Sequence, residues 1–361
     1  MQLRGRKQVT AMGGAAVAMA LSLAACSSSS PSPSASPSSS SSSGSLSGTL
    51  NGSGSTFQLT FQQAAISSFK SADPGVTVNY GGGGSGKGRT DLAGGTVNFA
   101  GSDSPIPSKE QANFKGKTVL YFPVVIGPIS MAYNLPGVSN LKLDATVIAN
   151  IFQGKIKSWN DPSIKALNPG VTLPSTAITI AVRSDSSGTT QNFSQFLVEA
   201  AGSAWTLGTS STIKWPSTAR AASGNGGVAQ VVKSTPGAIG YVDYSTAKAT
   251  GLVSASVKNK DGSYVAPSPT SASAAAAGVT PKSDLTFSAI WASGASAYPI
   301  TYQSWDLVYA KQPNANTAKL LQAYIGYLIG SGQQLLPSLD YASLPSNIDS
   351  LAKAQLSKIT S

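Results

Sequence analysis

Three glycine- and hydroxyl-rich segments carry the residue types that bind oxyanions. They are 52–57 (GSGSTF), 81–88 (GGGGSGKG) and 183–190 (RSDSSGTT). Each lies directly before a predicted helix, where unpaired backbone N–H groups and the positive end of the helix dipole favour a negative charge. Glycine lets the backbone approach an anion closely, and serine and threonine hydroxyls donate further hydrogen bonds. Each segment alone is also explained as ordinary helix capping, and the three together favour an anion site.

The chain lacks the residues that the common catalytic and metal sites require. It contains no histidine, which excludes the usual Ser-His-Asp triad and every histidine-based zinc site. Its single cysteine, Cys26, permits no internal disulfide and no thiolate cluster. A serine nucleophile at Ser85 or Ser187 would need a lysine or aspartate as its base, and no paired arrangement is visible.

The second segment also matches two nucleotide-binding patterns. Residues 81–87 fit the first seven positions of a P-loop, but Gly88 stands where serine or threonine should hold magnesium. The glycines of the same segment fit a dinucleotide fingerprint, with Asp103 near the position of the ribose-binding acid. Such matches arise easily in a dense glycine run, and an exported protein would rarely meet ATP or NAD.

The composition allows two ordinary domains. The chain has 361 residues, of which 41% are hydrophobic and only 11% charged. Its net charge of +11 would attract anions, or would simply keep the protein soluble. The cations are scattered, without a Lys/Arg run or an interleaved aromatic stripe, which disfavours nucleic-acid binding.

The first 48 residues indicate export and tethering. Basic residues precede an apolar stretch at 9–25, which is typical of a signal peptide. The stretch ends in LAAC at 23–26, which resembles a bacterial lipobox whose cysteine becomes lipidated. We therefore predict a lipoprotein signal peptide at 1–25, and lipidated Cys26 with a disordered Ser/Pro linker at 26–48. The alternative is a short membrane span with an incidental cysteine.

From about Thr49 onward, helical and strand patterns alternate, which predicts an α/β fold with ligand sites at strand-to-helix turns. Helices are predicted at 61–69, 89–93, 146–152, 189–199 and 320–328. Strands are predicted at 76–80, 97–100, 121–126, 129–133, 177–182 and 300–309. Gly127-Pro128, between two of these strands, is a candidate crossing point between domains.

Seven segments in chain order match one known pattern. They are GSGSTF at 52–57, NY at 79–80 with the glycine loop, AGSDSPI at 100–106, FPVVIG at 122–127, WNDP at 159–162, RSDSSGT at 183–189 and PGAIGYV at 236–242. Together they resemble the periplasmic or surface phosphate-binding proteins of the phosphate-specific ABC transport system. The resemblance covers nearly all of the folded chain.

The resemblance implies an α/β, two-domain periplasmic-binding-protein fold, with the ligand cleft between the domains and a two-stranded hinge. Domain I would combine 49–126 with 300–361, and domain II would be 127–299. It also implies a monomeric binding protein rather than an enzyme. This protein would capture inorganic phosphate outside the cytoplasmic membrane, without a metal or cofactor, and deliver it to membrane permease subunits.

Motif by motif, the resemblance implies the ligand contacts. These are Thr56, Phe57, Ser85, Asp103, Arg183, Ser187, Gly188 and Thr189. Arg183 would supply a charge-assisted pair and would be oriented by Asp185. Asp103 would accept a hydrogen bond from the proton that phosphate keeps near neutral pH and that sulfate lacks, and would thereby reject sulfate. The alternative role for Asp103 is a turn cap before Pro105.

The chain departs from the family pattern in two places, since Gln58 replaces the usual proline and four consecutive glycines form the second loop. Three other functions stay open at this point. The ligand could be another tetrahedral oxyanion, such as arsenate, sulfate or molybdate. The chain could be a secreted phosphatase or esterase, or an adhesive or signalling lipoprotein that binds no small ligand.

Overall fold

The computed structural model describes residues 46–361. The predicted signal peptide, Cys26 and all but the last residues of the predicted linker lie outside the described residues. In the part of the chain that is described, no helix has the length and apolar character needed to cross a membrane.

Strands and helices alternate along the described chain. The strands are β1 (Gly48–Gly54), β2 (Val76–Gly81), β3 (Phe99–Ser102), β4 (Val119–Tyr133), β5 (Lys142–Leu143), β6 (Thr179–Arg183), β7 (Arg220–Ala222), β8 (Ala238–Asp243), β9 (Val253–Ser254), β10 (Ser256–Lys258), β11 (Tyr264–Val265) and β12 (Thr301–Tyr309). The helices are α1 (Leu59–Ala72), α2 (Ser85–Gly94), α3 (Ala145–Phe152), α4 (Pro162–Leu167), α5 (Gly188–Ala201), α6 (Gly224–Ser234), α7 (Tyr244–Thr250), α8 (Pro269–Ala276), α9 (Ala315–Ile329) and α10 (Ser346–Gln355).

A large mixed sheet organises these elements, in the order β2-β1-β3-β12-β4-β8-β6-β7, with β9 also pairing with β4. In its first part, β1 runs parallel to β2 and β3. In its second part, β6 runs parallel to β7 and β8. The antiparallel strands β12 and β4 lie between these two parallel sets. A small sheet, β11-β10-β5, lies apart.

Strand β4 belongs to both parts of the sheet. Its residues 119–128 pair with β12, and its residues 129–133 pair with β8. The prediction of two strands separated at Gly127-Pro128 is therefore wrong, because one strand of 15 residues runs through this point and changes partner there. Proline removes one ladder donor but is compatible with extended backbone, so the strand continues.

The amphipathic pattern of the first helix is confirmed. Phe61, Ala65 and Phe69 are all buried on α1, and the helix ends before Asp73. Helix α2 begins at Ser85, earlier than the predicted 89–93. The reason is its N-cap Gly84, whose φ of 92° is a backbone conformation that glycine adopts without strain.

Candidate functional site

The predicted binding residues lie where parallel strands end. In the first part of the sheet, the chain turns at 55–58 after β1, at 82–84 after β2, and at Asp103 after β3. In the second part it turns at 184–187 after β6 and at Ser223 after β7. Ligands of open α/β sheets bind outside the carboxyl ends of the strands, so these turns are the expected position of a site.

Asp103 accepts hydrogen bonds from three hydroxyl groups. Its Oδ1 accepts from Ser304 Oγ at 2.6 Å and also from Ser55 Oγ. Its Oδ2 accepts from Ser85 Oγ at 3.3 Å. Burial raises the pKa of Asp103 above its usual value, against the opposing effects of these hydrogen bonds and of the positive charge of Arg183. The side chain is only 2% exposed and is surrounded by groups that suit its ionised form.

Arg183 supplies a buried positive charge. Its Nε donates to Asp185 Oδ1 at 2.7 Å, and its second terminal nitrogen donates to Asp185 Oδ2. The other terminal nitrogen donates to Thr189 Oγ1 at 3.4 Å. Burial favours a higher pKa for Asp185, but the hydrogen bonds and charge of Arg183 hold that pKa below its usual value. The fork of the guanidinium is therefore fixed in direction by a carboxylate that stays ionised.

Asn225 joins the turn after β1 to the turn after β6. Its backbone N and its Nδ2 each donate to Thr56 Oγ1 at 3.2 Å. The same Nδ2 donates to Thr189 Oγ1 at 3.3 Å. Asn225 is fully buried at the start of α6. Hydroxyl groups from opposite parts of the sheet are thus within hydrogen-bond distance of one amide.

The N-terminus of α5 packs directly against Asp103. Ser187 caps this helix by accepting a hydrogen bond from the backbone N of Thr190 at 3.1 Å. A methyl group at Gly188 would lie only 2.7 Å from Asp103 Oδ2, so this position has space for glycine alone. One turn later, Asn192 Nδ2 donates to the backbone carbonyls of Gly188 at 2.9 Å and Asp103 at 2.7 Å.

Phe57 makes local contacts. Its backbone N–H, which the resemblance implies as a ligand donor, donates to Ser55 Oγ at 3.0 Å. Its ring is 1% exposed and stacks on Tyr302 with 4.0 Å between the ring centroids. Its carbonyl accepts from Tyr341 Oη at 2.6 Å. In this arrangement Phe57 fixes the turn after β1.

The other predicted residues form one connected group. Four buried residues that were not among the predicted binding residues join them: Ser55, Asn192, Asn225 and Ser304. A signal existed for Asn225, because SGNGG at 223–227 is a further glycine-rich turn before a helix. Ser304 lies inside a buried strand, where nothing in the sequence distinguishes it from a core serine.

A cavity of about 490 Å³ reaches this group at Asn192. Its walls include 104–109 on one side and Gln191 and Gln195 on the other. Among the residues from 46 onward, no three His, Cys, Asp or Glu side chains lie together in a way that could hold a metal ion. The chemistry available at the site is therefore that of hydroxyls, amides, one guanidinium and carboxylates.

Comparison with known proteins identifies the family. A family model for the PBP superfamily domain matches residues 39–331. The chain is 37% identical over 312 residues to phosphate-binding protein PstS 3 of Mycobacterium leprae, which covers 84% of each chain. It is 35% identical over 313 residues to phosphate-binding protein PstS of Pasteurella multocida, covering 85% of this chain and 89% of that one.

A solved structure supports the fold. A high affinity periplasmic phosphate-binding protein (PfluDING) bound with phosphate matches with a TM-score of 0.71 and 20% identity, over 85% of this chain and 94% of that chain. The mixed α/β periplasmic-binding-protein fold predicted from the sequence is confirmed, whereas its hinge stays a prediction. The chain belongs to the PBP superfamily and, within it, to the family of phosphate-binding PstS proteins.

Proposed function

We propose that this protein binds inorganic phosphate outside the cytoplasmic membrane and delivers it to an ABC phosphate importer. The observation that carries the proposal is a buried carboxylate, Asp103, and a buried guanidinium, Arg183, in one group of hydroxyls and helix N-termini. The similar proteins of Mycobacterium leprae and Pasteurella multocida are named phosphate-binding proteins, which supports the same ligand here.

The two charged side chains have different roles in this proposal. Arg183 attracts the anion and donates hydrogen bonds to it, together with the hydroxyls of Thr56, Ser85 and Thr189 and the α5 N-terminus at 187–188. Asp103 accepts a hydrogen bond from the protonated oxygen of the anion. An anion without a proton would place its lone pairs against the carboxylate, and an unpaired or repelled buried group costs about 1–3 kcal/mol or more. Protonated oxyanions are therefore favoured over sulfate.

Ligand entry requires movement, because the site residues are buried. We propose two domains, 49–126 with 300–361 and 127–299, connected within β4 and again at 299–300, just before β12. This division places Thr56, Ser85 and Asp103 on one domain, and Arg183 with 187–189 on the other. The hydrogen bonds between Asn225 and Thr56 cross this division and are consistent with a closed arrangement.

The proposed location is the extracytoplasmic face of the bacterial membrane. Removal of the signal peptide at 1–25 and lipidation of Cys26 would anchor the chain, and the linker at 26–48 would let a monomeric body reach the permease subunits. Replacing Cys26 with serine should release the protein from the membrane fraction of the producing cells and abolish labelling by radioactive palmitate. Retention with undiminished labelling would contradict the lipidation proposal.

Binding rather than catalysis is proposed for the serines at the site. Ser187 Oγ accepts from the backbone N of Thr190, and Ser85 Oγ accepts from the backbone N of Asp103 at 3.1 Å. Neither hydroxyl has a histidine available to activate it, since the chain has none. Turnover of a chromogenic phosphate ester by the purified protein, lost in Ser85→Ala or Ser187→Ala, would contradict this proposal.

Equilibrium dialysis of the full chain against radiolabelled phosphate tests the function. The protein is first unfolded and refolded in phosphate-free buffer to remove bound anion. We expect one bound phosphate per chain, displaced by unlabelled phosphate and by arsenate, which keeps a proton at neutral pH as phosphate does. Sulfate and molybdate should not displace it. Folded protein that retains no radiolabel would refute the proposed function.

A further inference from the structure

Four fully buried polar side chains connect α1 with β12 behind Asp103. They are Gln58, Gln62, Ser304 and Asp306. Residues four apart lie on the same face at the start of a helix, and residues two apart lie on the same face of a strand. The two glutamines therefore meet the serine and the aspartate as two neighbouring pairs.

The orientation of both glutamine amides follows from Asp306. Gln62 Nε2 donates to Asp306 Oδ2 at 2.9 Å and to Gln58 Oε1 at 2.8 Å. Gln62 Oε1 accepts from Tyr324 Oη at 2.6 Å. With Asp306 Oδ2 as the acceptor and Tyr324 Oη as the donor, Gln62 presents its amino group to Asp306 and its oxygen to Tyr324. Gln58 must then present its oxygen to Gln62 and its amino group to the other side.

The orientation of the Gln58 amide determines to which atom the Ser304 hydroxyl donates its hydrogen bond. Gln58 Nε2 donates to Ser304 Oγ at 3.0 Å and to the backbone carbonyl of Trp305 at 3.3 Å. A hydroxyl that accepts from an amide still has one proton to give, and Ser304 gives it to Asp103 Oδ1 at 2.6 Å.

A β-bulge lies directly beside Ser304 in β12. The register between β12 and β4 shifts between Ser304 and Trp305, where the partners change from Val125 to Pro123. Bulges turn side chains locally, and they occur often beside functional sites.

Ser55 donates a second hydrogen bond to the same oxygen of Asp103, from the turn after β1. Its Oγ accepts from the backbone N of Phe57 at 3.0 Å, so its proton is also directed to Asp103 Oδ1. Both donors thus converge on one oxygen of the carboxylate. Asp103 Oδ2 faces Ser85 and Gly188, where the ligand is proposed to bind.

We propose that Gln58 and Ser304, oriented by Gln62 and Asp306, are positioning residues for anion selectivity. They ensure that Asp103 Oδ1 accepts a hydrogen bond from Ser304. Oδ2 thereby stays available to accept a hydrogen bond from the protonated oxygen of a bound oxyanion. This inference rests on the proposed function and deepens it. The ligands favoured by this device are singly or doubly protonated tetrahedral oxyanions.

The test is the pH at which sulfate begins to bind. Sulfate stays unprotonated across the usable pH range, so it gains a hydrogen bond at the site only when Asp103 becomes protonated. Hydrogen bonds donated to a carboxylate favour its ionised form, and their loss moves protonation to higher pH. The other ionisable groups around Asp103 stay in place in Ser304→Ala: Arg183, Asp243, Tyr80, Tyr302, Tyr341 and Asp306. Gln58→Glu adds one carboxylate, whose negative charge also raises the pKa of Asp103.

The variants are Ser304→Ala, which removes one donor to Asp103, and Gln58→Glu, which offers Ser304 an acceptor in place of the amide nitrogen. Ser130→Ala is the matched control, because Ser130 is also fully buried on an adjacent strand but its hydroxyl has no hydrogen-bond partner. Sulfate and phosphate affinities of the full chain are measured by calorimetry from neutral to acidic pH, and folding is checked by circular dichroism.

In Ser304→Ala, we expect the midpoint of sulfate binding to move up by about one pH unit, the effect of one charge-assisted hydrogen bond. Gln58→Glu should move it at least as far, and Ser130→Ala should leave it unchanged. An unchanged midpoint in folded Ser304→Ala, with wild-type protein that binds phosphate, overturns this inference alone. Wild-type protein that binds no phosphate overturns the proposed function as well.

Discussion

Replacing Arg183 with methionine should weaken phosphate binding by two to three orders of magnitude. The Arg183 side chain is 2% exposed, so water cannot take over its interactions with an enclosed anion. Removing one partner of a buried, hydrogen-bonded charge pair costs about 2–5 kcal/mol or more. Since each 1.4 kcal/mol corresponds to a tenfold change, a loss of about 3–4 kcal/mol, within this range, raises the Kd by roughly 100- to 1000-fold.

Part of the lost phosphate affinity would come from repulsion by the Asp185 carboxylate, and a second variant measures this contribution. In Arg183→Met, the Asp185 carboxylate keeps only the hydrogen bonds that do not involve Arg183, including one from the backbone N of Gly224 at 3.0 Å, and its charge repels the incoming anion. The double variant Arg183→Met/Asp185→Asn removes this repulsion. We expect it to recover about tenfold of the lost affinity, or roughly 1.4 kcal/mol.

Calorimetric titration with phosphate measures these affinities, and Arg220→Met provides the matched control. Arg220 lies on β7 opposite Ala181, two residues before Arg183 on the paired strand β6, but its side chain is exposed and donates to Thr235. This control makes the same change in net charge and should alter the Kd less than threefold, because exposed charges are screened. A folded Arg183→Met protein with the affinity of the Arg220→Met protein would refute the assigned role of Arg183.

Three further predictions concern other parts of the site. Gly188→Ala should weaken phosphate binding more than about tenfold, because its methyl group would overlap Asp103. Gly226→Ala, at a helix position with open space, should leave the Kd unchanged and stabilise the fold by about 0.5–1 kcal/mol. Equal affinities of the two variants would contradict the steric argument. Asn225→Ala should weaken binding about tenfold in the same titration through the lost hydrogen bonds to Thr56, and an unchanged Kd would remove Asn225 from the site. Burial raises the pKa of Asp243 to about 7, against the opposing effect of the hydrogen bonds that Thr246 donates to it. At this carboxyl group the folded chain therefore binds more protons than the unfolded chain does. The free energy of unfolding, measured with guanidinium in phosphate-free buffer, should therefore rise as the pH falls from about 7 to about 4, by at most roughly 1.4 kcal/mol per pH unit for this group. Asp243→Asn should reduce that rise, and an identical slope would contradict the prediction.

The sequence predicts the helices and strands well where hydrophobic periodicity is strong. The stripe of α1 and the apolar run of β12 are found almost as predicted. Two of the errors fall at glycine and proline. Gly127-Pro128 suggested a break in β4, but sheet pairing on both sides holds the strand straight through it. Gly84 allowed α2 to begin earlier than its side-chain pattern indicated.

The site is only partly predictable from the sequence, for a physical reason. Residues such as Ser85 and Arg183 belong to turns whose composition indicates anion binding. Ser304 and Gln58 act through hydrogen bonds between elements about 246 residues apart, and such contacts leave no local pattern. Buried polar side chains in a strand or at a helix start look like ordinary core residues until their partners are known.

The role of Asp103 is tested most directly by calorimetric titrations of the stripped wild-type chain and of Asp103→Asn. Each is titrated with phosphate and with sulfate at matched ionic strength and slightly alkaline pH. We expect tight one-to-one phosphate binding and no sulfate binding by the wild type. Asp103→Asn should lose phosphate affinity and gain measurable sulfate binding, since the amide can donate to an unprotonated oxyanion. Sulfate binding by the wild type as tight as phosphate binding, or unchanged selectivity in Asp103→Asn, would contradict the central role given to Asp103.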